Sequence, residues 1–142
     1  MTFQNPNREE VKQLLENAGN IAVVGLSDKT DRTSYMVAQA LQNNGYRIIP
    51  VNPTVKGEIL GEKVYSSLQD IPEPVDIVNV FRRSEQTPEV AKAAVEIGAN
   101  VLWLQQGITS DEANDIASKA GLTVIMDRCI KVEDSILIGK RS

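Results

Sequence analysis

The sequence contains no histidine and only one cysteine, Cys129, among its 142 residues. Without histidine the chain has no imidazole base for Ser-His or Cys-His catalysis and no histidine ligand for a metal ion. One cysteine can form neither an internal disulfide nor a cysteine cluster for structural zinc. The sequence therefore indicates no oxidising compartment, no metal site and no catalytic constellation.

The sequence also lacks long apolar runs and an excess of positive charge. No run approaches the ~20 apolar residues that span a bilayer, and the start MTFQNPNREE has neither the basic nor the apolar region of a signal peptide. The formal net charge of −4 argues against nucleic acid, because that affinity depends on phosphates neutralised by Lys and Arg. We expect a cytoplasmic protein that binds neither membranes nor nucleic acid, while one basic pocket remains compatible with a small anion.

Short apolar runs alternate with segments of helical periodicity along the chain. Runs rich in β-branched residues, typical of buried parallel strands, lie at 21–26, 46–52, 75–81, 100–104 and 122–127. The intervening helices are predicted at 5–18, 33–43, 84–98 and 109–120. A further brief strand is expected within 63–68.

This alternation predicts an α/β, Rossmann-like, doubly wound parallel sheet of five or six strands, with the order 3-2-1-4-5-6. We expect one domain over residues 1–142, in which 1–18 carry an N-terminal helix. A C-terminal extension over 128–142 should pack through Ile130, Val132 and Ile136.

Ligands of such sheets bind at the carboxyl ends of the strands where the strand order reverses, here between the first and fourth strands. The loop after the first strand contains the glycine turn at Gly25, then hydroxyl and basic side chains at Ser27, Arg32 and Ser34, before a helix begins. Free N–H groups at a helix N-terminus favour an anion, and these side chains would add donors. The segment therefore predicts a phosphate site, although a solvated loop with an ordinary Ser/Thr cap stays open.

A nicotinamide cofactor is disfavoured by two absences. Ser27 and Thr30 stand where G-x-G-x-x-G would have glycines, and the second strand ends in Asn52-Pro53 without an acid for a ribose hydroxyl. The G-x-x-x-x-G-K-[ST] loop of NTPases is absent as well.

Five motifs, VVGLSDKTDRTSYMVAQAL, GYRIIPVNP, VDIVNVFRR, WLQQGI and MDRC, occur in order at the ends of successive predicted strands. Together they resemble the small stand-alone CoA-binding domain proteins, which are similar to the N-terminal domain of the succinyl-CoA synthetase α subunit. The resemblance implies coenzyme A, or an acyl-CoA, lying across the strand ends.

The resemblance also implies roles for individual residues. Gly25 forms the turn, with Ser27, Arg32 and Ser34 as donors to phosphate. Asn52 and Pro53 flank the adenosine end, and Lys56 meets the 3′-phosphate. The diphosphate and pantetheine arm would pass the remaining set, Phe81, Arg82, Gln105, Gln106 and Gly107.

Other side chains have simpler interpretations. We expect Arg83 to be solvated and Trp103 to pack in the core. Tyr35, Met36 and Val37 are expected to pack against the sheet, with a ligand contact of Tyr35 left open. Cys129 is expected to be a small buried residue, with a redox role beside the CoA thiol left open. Asp28 and Asp31 are interpreted as a solvated loop rather than a Mg²⁺ site.

The sequence thus favours CoA binding without catalysis. The alternatives are a small NAD(P)-dependent oxidoreductase or nucleotide-converting enzyme, for which Lys29 and Arg32 would accept a 2′-phosphate, and a regulatory protein that has lost its ligand. A homo-oligomer or an unidentified protein partner also stays open.

Overall fold

Residues 3–141, which the computed structural model describes, contain seven strands. They are β1 (Asn20–Val24), β2 (Arg47–Val51), β3 (Glu58–Ile59), β4 (Glu62–Lys63), β5 (Ile77–Val80), β6 (Val101–Leu104) and β7 (Thr123–Ile125). Five of them form one parallel sheet in the order β2-β1-β5-β6-β7, and β3 and β4 pair antiparallel as a short hairpin. Residues 1, 2 and 142 of the expected domain lie outside the described part.

The sheet order confirms the predicted Rossmann-like arrangement. β1 lies between β2 and β5, so that Ala22 pairs with Ile49 on one side and with Val78 on the other. All three residues are buried, because helices cover both faces of the sheet. The strand order reverses between β1 and β5, which is where the sequence predicted a binding site.

The third predicted strand is reduced to one parallel bridge between Val51 and Tyr65. The Tyr65 N–H donates to the Pro50 carbonyl over 3.0 Å, and the Asn52 N–H donates to the Tyr65 carbonyl over 2.9 Å. Extension of this ladder toward residue 63 would require an N–H at Pro50, which proline lacks. β2 therefore ends the regular sheet, as expected for a strand that contains proline.

Five α-helices lie within residues 3–141: α1 (Arg8–Asn17), α2 (Thr33–Asn43), α3 (Thr87–Glu96), α4 (Asp111–Lys119) and α5 (Ile130–Leu137). Alanines of α3 and α4 pack on one face of the sheet. Apolar side chains of α1, α2 and α5 pack on the other face. Short 3-10 turns at Leu68–Asp70 and Ser84–Gln86 complete the described secondary structure.

Three predictions about apolar side chains are wrong. The C-terminal segment forms α5 and buries Ile130, but Val132 is 47% exposed and Ile136 is 55% exposed. These two residues are four apart on the helix face opposite Ile130 and the buried Asp134, so they point to solvent. Met36, expected in the core, is likewise 47% exposed, because α2 turns Val37 and Ala38 toward the sheet.

Candidate functional site

The turn at Gly25 brings the carboxyl ends of three strands together. Its N–H donates to the Val51 carbonyl of β2 over 2.9 Å, and the Phe81 N–H donates to the Val24 carbonyl over 2.8 Å. Gly25 has φ +87°, and a Cβ there would lie 2.3 Å from the Phe81 carbonyl oxygen. No other residue type fits this position without displacing backbone, so the glycine predicted for this turn has a geometric cause.

The N-terminus of α2 opens toward this turn without a side-chain cap. Its N-cap residue is Arg32, whose side chain makes no capping hydrogen bond. Ser34 does not cap the helix either, because its Oγ accepts the Ser27 N–H over 3.0 Å. Ser27 Oγ in turn accepts the Lys29 N–H over 3.0 Å. The loop is thus held by its own hydroxyl groups, while the first amides of α2 lack a side-chain partner.

A cavity of about 380 Å³ lies in front of these amides. Its lining residues come from the turn, the loop, the start of α2 and the residue after β5: Gly25, Ser27, Lys29, Arg32, Thr33, Ser34 and Phe81. Arg32 and Lys29 are exposed and supply its two positive charges. Hydroxyl donors, two cations and uncapped helix amides are the groups that bind phosphate. We name this cavity the phosphate cleft, after the group that we propose it binds.

A second cavity of about 270 Å³ lies beside it, on the α3 side of the sheet. Apolar side chains of Val24, Val51 and Val90 line it together with Pro53 and Arg82. The Arg82 Nε also lies 3.5 Å from the position that a Cβ on Gly25 would occupy. Arg82 therefore stands at the boundary between the two cavities. An apolar opening next to a guanidinium suits a flat, partly polar ring; we name it the apolar slot.

Asn52 holds the loops after β1 and β2 together. It is 9% exposed, and its Nδ2 donates to the Leu26 carbonyl over 3.0 Å. Its Oδ1 accepts the Thr54 N–H at 2.9 Å and the Thr54 hydroxyl at 2.8 Å. Both ends of the amide are thus occupied within the chain, and Asn52 shapes the site through the loops that it connects.

Hydrogen bonds to β5, to the start of α5 and to the turn after β7 hold the loop after β6 in place. Gln105 is 4% exposed, and its Oε1 accepts the Asn79 amide and the Ile130 N–H, each over 3.3 Å. The Gly107 N–H donates to Asp127 Oδ1 over 2.7 Å. Asp127 itself has φ +58°, an uncommon conformation for a residue other than glycine. Gln105 and Gly107 therefore position this loop, and the Gln106 side chain is exposed.

The sequence profile of the family described as "CoA binding domain" matches residues 19–135. That range contains the phosphate cleft, the apolar slot and all five strands of the parallel sheet. The chain belongs to the CoA-binding domain family. This confirms the resemblance found in the five motifs.

Relatives of the chain include both small proteins and parts of large enzymes. Uncharacterized protein YneT of Bacillus subtilis (strain 168) is 55% identical over 134 residues, which are 94% of this chain and 98% of YneT. The acetate–CoA ligase [ADP-forming] I subunit alpha of Pyrococcus furiosus is 33% identical over 97 residues, 63% of this chain but 21% of that subunit. A solved structure of a hypothetical protein from Pyrococcus horikoshii OT3 is 34% identical with a TM-score of 0.91, covering 98% of this chain and 100% of that one.

The predicted site residues fall into four groups according to their positions in the structure. Five line the phosphate cleft: Gly25, Ser27, Arg32, Ser34 and Phe81. Two line the apolar slot, Pro53 and Arg82. Three hold loops by hydrogen bonds: Asn52, Gln105 and Gly107. The last two, Lys56 and Gln106, are exposed and line neither cavity.

Cys129 is the half-buried N-cap residue of α5 and makes no capping hydrogen bond through its side chain. It lines a separate cavity of about 290 Å³ with Gln106 and Arg128. The Arg128 guanidinium donates to the Asp127 carbonyl over 2.8 Å.

Trp103 is fully buried, and its indole N–H donates to the Arg128 carbonyl over 3.0 Å, which confirms its core role.

Two negative observations complete the description of residues 3–141. No three acidic, histidine or cysteine side chains in this range converge as metal ligands do. None of its helices combines the length and the hydropathy required to cross a bilayer.

The structure adds residues to the site beyond those that the CoA resemblance implies. Thr33 and Lys29 line the phosphate cleft. Ser66 and Ser67 line the apolar slot, although they lie more than forty positions beyond Val24 in the sequence. Lys29 and Thr33 carry a local signal, since they belong to the same basic and hydroxyl loop. The two serines carry none, because only the bridge at Tyr65 brings their segment to β2.

Proposed function

We propose that this protein binds coenzyme A or an acyl-CoA across the carboxyl edge of its sheet and performs no catalysis of its own. Membership of the CoA-binding domain family supports the ligand class. The observation that carries the proposal in this chain is the uncapped N-terminus of α2, facing a cleft that contains Arg32, Lys29 and two serines.

In this proposal the diphosphate of CoA occupies the phosphate cleft. The helix N-terminus contributes about half a positive charge, and Arg32 and Lys29 add two formal charges that a diphosphate would neutralise. Because Gly25 has no Cβ, its backbone lies against the Phe81 carbonyl and lines the cleft directly. Ser34, already bonded to the Ser27 N–H, keeps the loop in the geometry that exposes the amides.

The adenine ring of CoA would occupy the apolar slot, between Pro53 and Arg82. A ring in that slot exchanges water for contacts with Val24, Val51 and Val90, and Arg82 can stack on its face. Lys56 is exposed on the loop after β2 and is the side chain that we assign to the 3′-phosphate. The pantetheine arm would leave past Phe81 toward Gln106 on the loop after β6.

NAD(P) fits this site less well than CoA does. A Rossmann NAD site holds the ribose with an acid after the second strand, and this chain has Asn52 there, with both ends of its amide occupied by Leu26 and Thr54. The side chains around the phosphate cleft also include no histidine, because the chain has none. This composition supports a binding role, in which the protein carries or senses CoA.

Thermal unfolding with a ligand panel tests the proposal. The protein is melted alone and with CoA, dephospho-CoA, acetyl-CoA, NAD or NADP, each at equal concentration. A ligand at 100 times its Kd adds about 2.7 kcal/mol to the stability of the native state. For a domain of this size that corresponds to a rise in Tm of about 8 °C. We expect the rise with CoA and acetyl-CoA, a smaller one with dephospho-CoA, and none with NAD. A rise with NADP alone would contradict the proposal.

A further inference from the structure

A basic cavity lies at the opposite end of α2 from the phosphate cleft. It has a volume of about 390 Å³ and is lined by the end of α2, by α5 and by the residues after α5: Ala40, Leu41, Asn43, Asn44, Lys131, Asp134, Ser135, Gly139, Lys140 and Arg141. Because α2 has eleven residues, the two cavities are separated by about 16 Å along the helix axis. We name it the distal cavity.

Three cations and one carboxylate line the distal cavity. Within residues 3–141, none of these cations lies within ion-pair distance of an acidic oxygen; they are Lys131, Lys140 and Arg141. The carboxylate of Asp134 is 4% exposed, and its oxygens are occupied by the Tyr46 hydroxyl at 2.6 Å and the Asn44 amide at 2.7 Å. The residues that line the cavity therefore carry a net positive charge, although most of the cavity wall is apolar and the chain has a formal net charge of −4.

Arg141 is held in place rather than free in solvent. Its Nη2 donates to the Leu15 carbonyl over 3.3 Å, and its guanidinium lies over the Tyr46 ring at 4.9 Å from the centroid. Its backbone N–H donates to Asn44 Oδ1 over 2.7 Å. A cation that the fold already positions loses little conformational entropy when an anion binds.

The stabilisation of helix termini explains only part of the positive charge around the distal cavity. Lys140 and Arg141 follow α5 and adjoin the end of α2, where cations are favourable. Lys131 is the second residue of α5, where a cation opposes the helix dipole. Its position beside the other two cations is therefore not explained by the stability of its own helix.

We propose that the distal cavity binds a small molecule with two or more anionic oxygens, held by Lys131, Lys140 and Arg141. Phosphate esters and polycarboxylates share this chemistry. The volume admits a small metabolite, and the side chains that line the cavity are separate from those that line the phosphate cleft. The inference does not depend on CoA binding.

Residue-resolved NMR titration tests the site. The ¹⁵N-labelled protein is titrated separately with inorganic pyrophosphate and with citrate, and sodium chloride at matched ionic strength is the control. We expect saturable shifts of the Asn44, Ser135 and Gly139 amides with at least one probe. Pyrophosphate alone would identify a phosphorylated ligand, and citrate alone a polycarboxylate; either result supports the site.

Two variants separate this site from the phosphate cleft. The double variant Lys131→Gln, Lys140→Gln should raise the Kd obtained from the distal shifts about tenfold or more. A dispersed spectrum of this variant would show that the protein remains folded. Arg32→Ala should leave the distal shifts unchanged, whatever it does to shifts near Ser27. The inference is overturned if sodium chloride reproduces the shifts, or if the double variant retains them.

Discussion

Replacement of Gly25 by alanine should destabilise the protein through two separable effects. Gly25 has φ +87°, a conformation that costs a residue with a Cβ about 1–2 kcal/mol. The new Cβ would also lie 2.3 Å from the Phe81 carbonyl oxygen, so the ends of β1 and β5 must move apart. Such overpacking costs about 1–3 kcal/mol more. We expect Gly25→Ala to lower the free energy of unfolding by about 2–5 kcal/mol, the sum of these two ranges.

Urea-induced unfolding measures this loss, with Gly121→Ala as the matched control. Gly121 has φ +91°, but no atom lies within 4 Å of the position its Cβ would take. The control therefore reports the conformational cost alone. If Gly25→Ala proves no more costly than Gly121→Ala, the close approach of the two strand ends is not a constraint on this turn, and the reasoning is refuted.

Three further predictions concern the loops, the core and the ligand. Asn52→Ala should cost about 1–3 kcal/mol, since it leaves the Leu26 carbonyl and the Thr54 N–H unpaired; an unchanged urea midpoint would contradict this. Burial, and then the hydrogen bond to Asp134, raise the pKa of Tyr46, so its neutral form is favoured in the folded state. Stability should therefore fall as the pH rises above about 10, the pKa of an unfolded tyrosine, and Tyr46→Phe should show a smaller fall in melting experiments; equal slopes would refute the assignment. Lys56→Gln should weaken CoA binding but leave dephospho-CoA binding unchanged in calorimetry, and equal losses for both ligands would exclude a role at the 3′-phosphate.

The sheet could be predicted because its strands are encoded locally. Runs such as IAVV in β1 and VLWL in β6 are continuous and apolar, and this pattern arises when both faces of a strand are covered. The reduction of the third predicted strand to a single bridge could not be predicted in the same way. It follows from the missing N–H at Pro50 on the neighbouring strand, and the sequence around Tyr65 carries no sign of this pairing constraint.

Helix positions followed from capping and periodicity, but the exposed face of α5 did not. Ile130, Val132 and Ile136 are all apolar, and only the packing of α5 determines which are buried. The hydrogen bond from the Ile130 N–H to Gln105 and the burial of Asp134 beside Tyr46 fix the rotation of this helix. The buried polar contacts that decide it join residues far apart in the chain.

The position of the cavity in front of α2 could be predicted from the sequence, but only some of the contacts of the side chains around it could. Gly25 and the hydroxyl and basic loop identify it from sequence. Ser34, in contrast, resembles an ordinary helix cap in the sequence, yet it accepts the Ser27 N–H and leaves α2 uncapped. Asn52 and Gln105 likewise resemble ligand contacts, whereas their amides bond to the chain itself.

The central claim, that this chain binds CoA with its diphosphate at the N-terminus of α2, is tested most directly by calorimetric titration of CoA into three proteins. These are the unaltered chain, Arg32→Ala, and Arg83→Ala, which removes an exposed arginine that lines neither cavity. A charge-assisted hydrogen bond contributes about 1.5–3 kcal/mol, so Arg32→Ala should raise the Kd about 10- to 150-fold. Arg83→Ala should leave it unchanged. No binding of CoA to the unaltered chain, or equal affinity in the Arg32→Ala protein, would contradict the account.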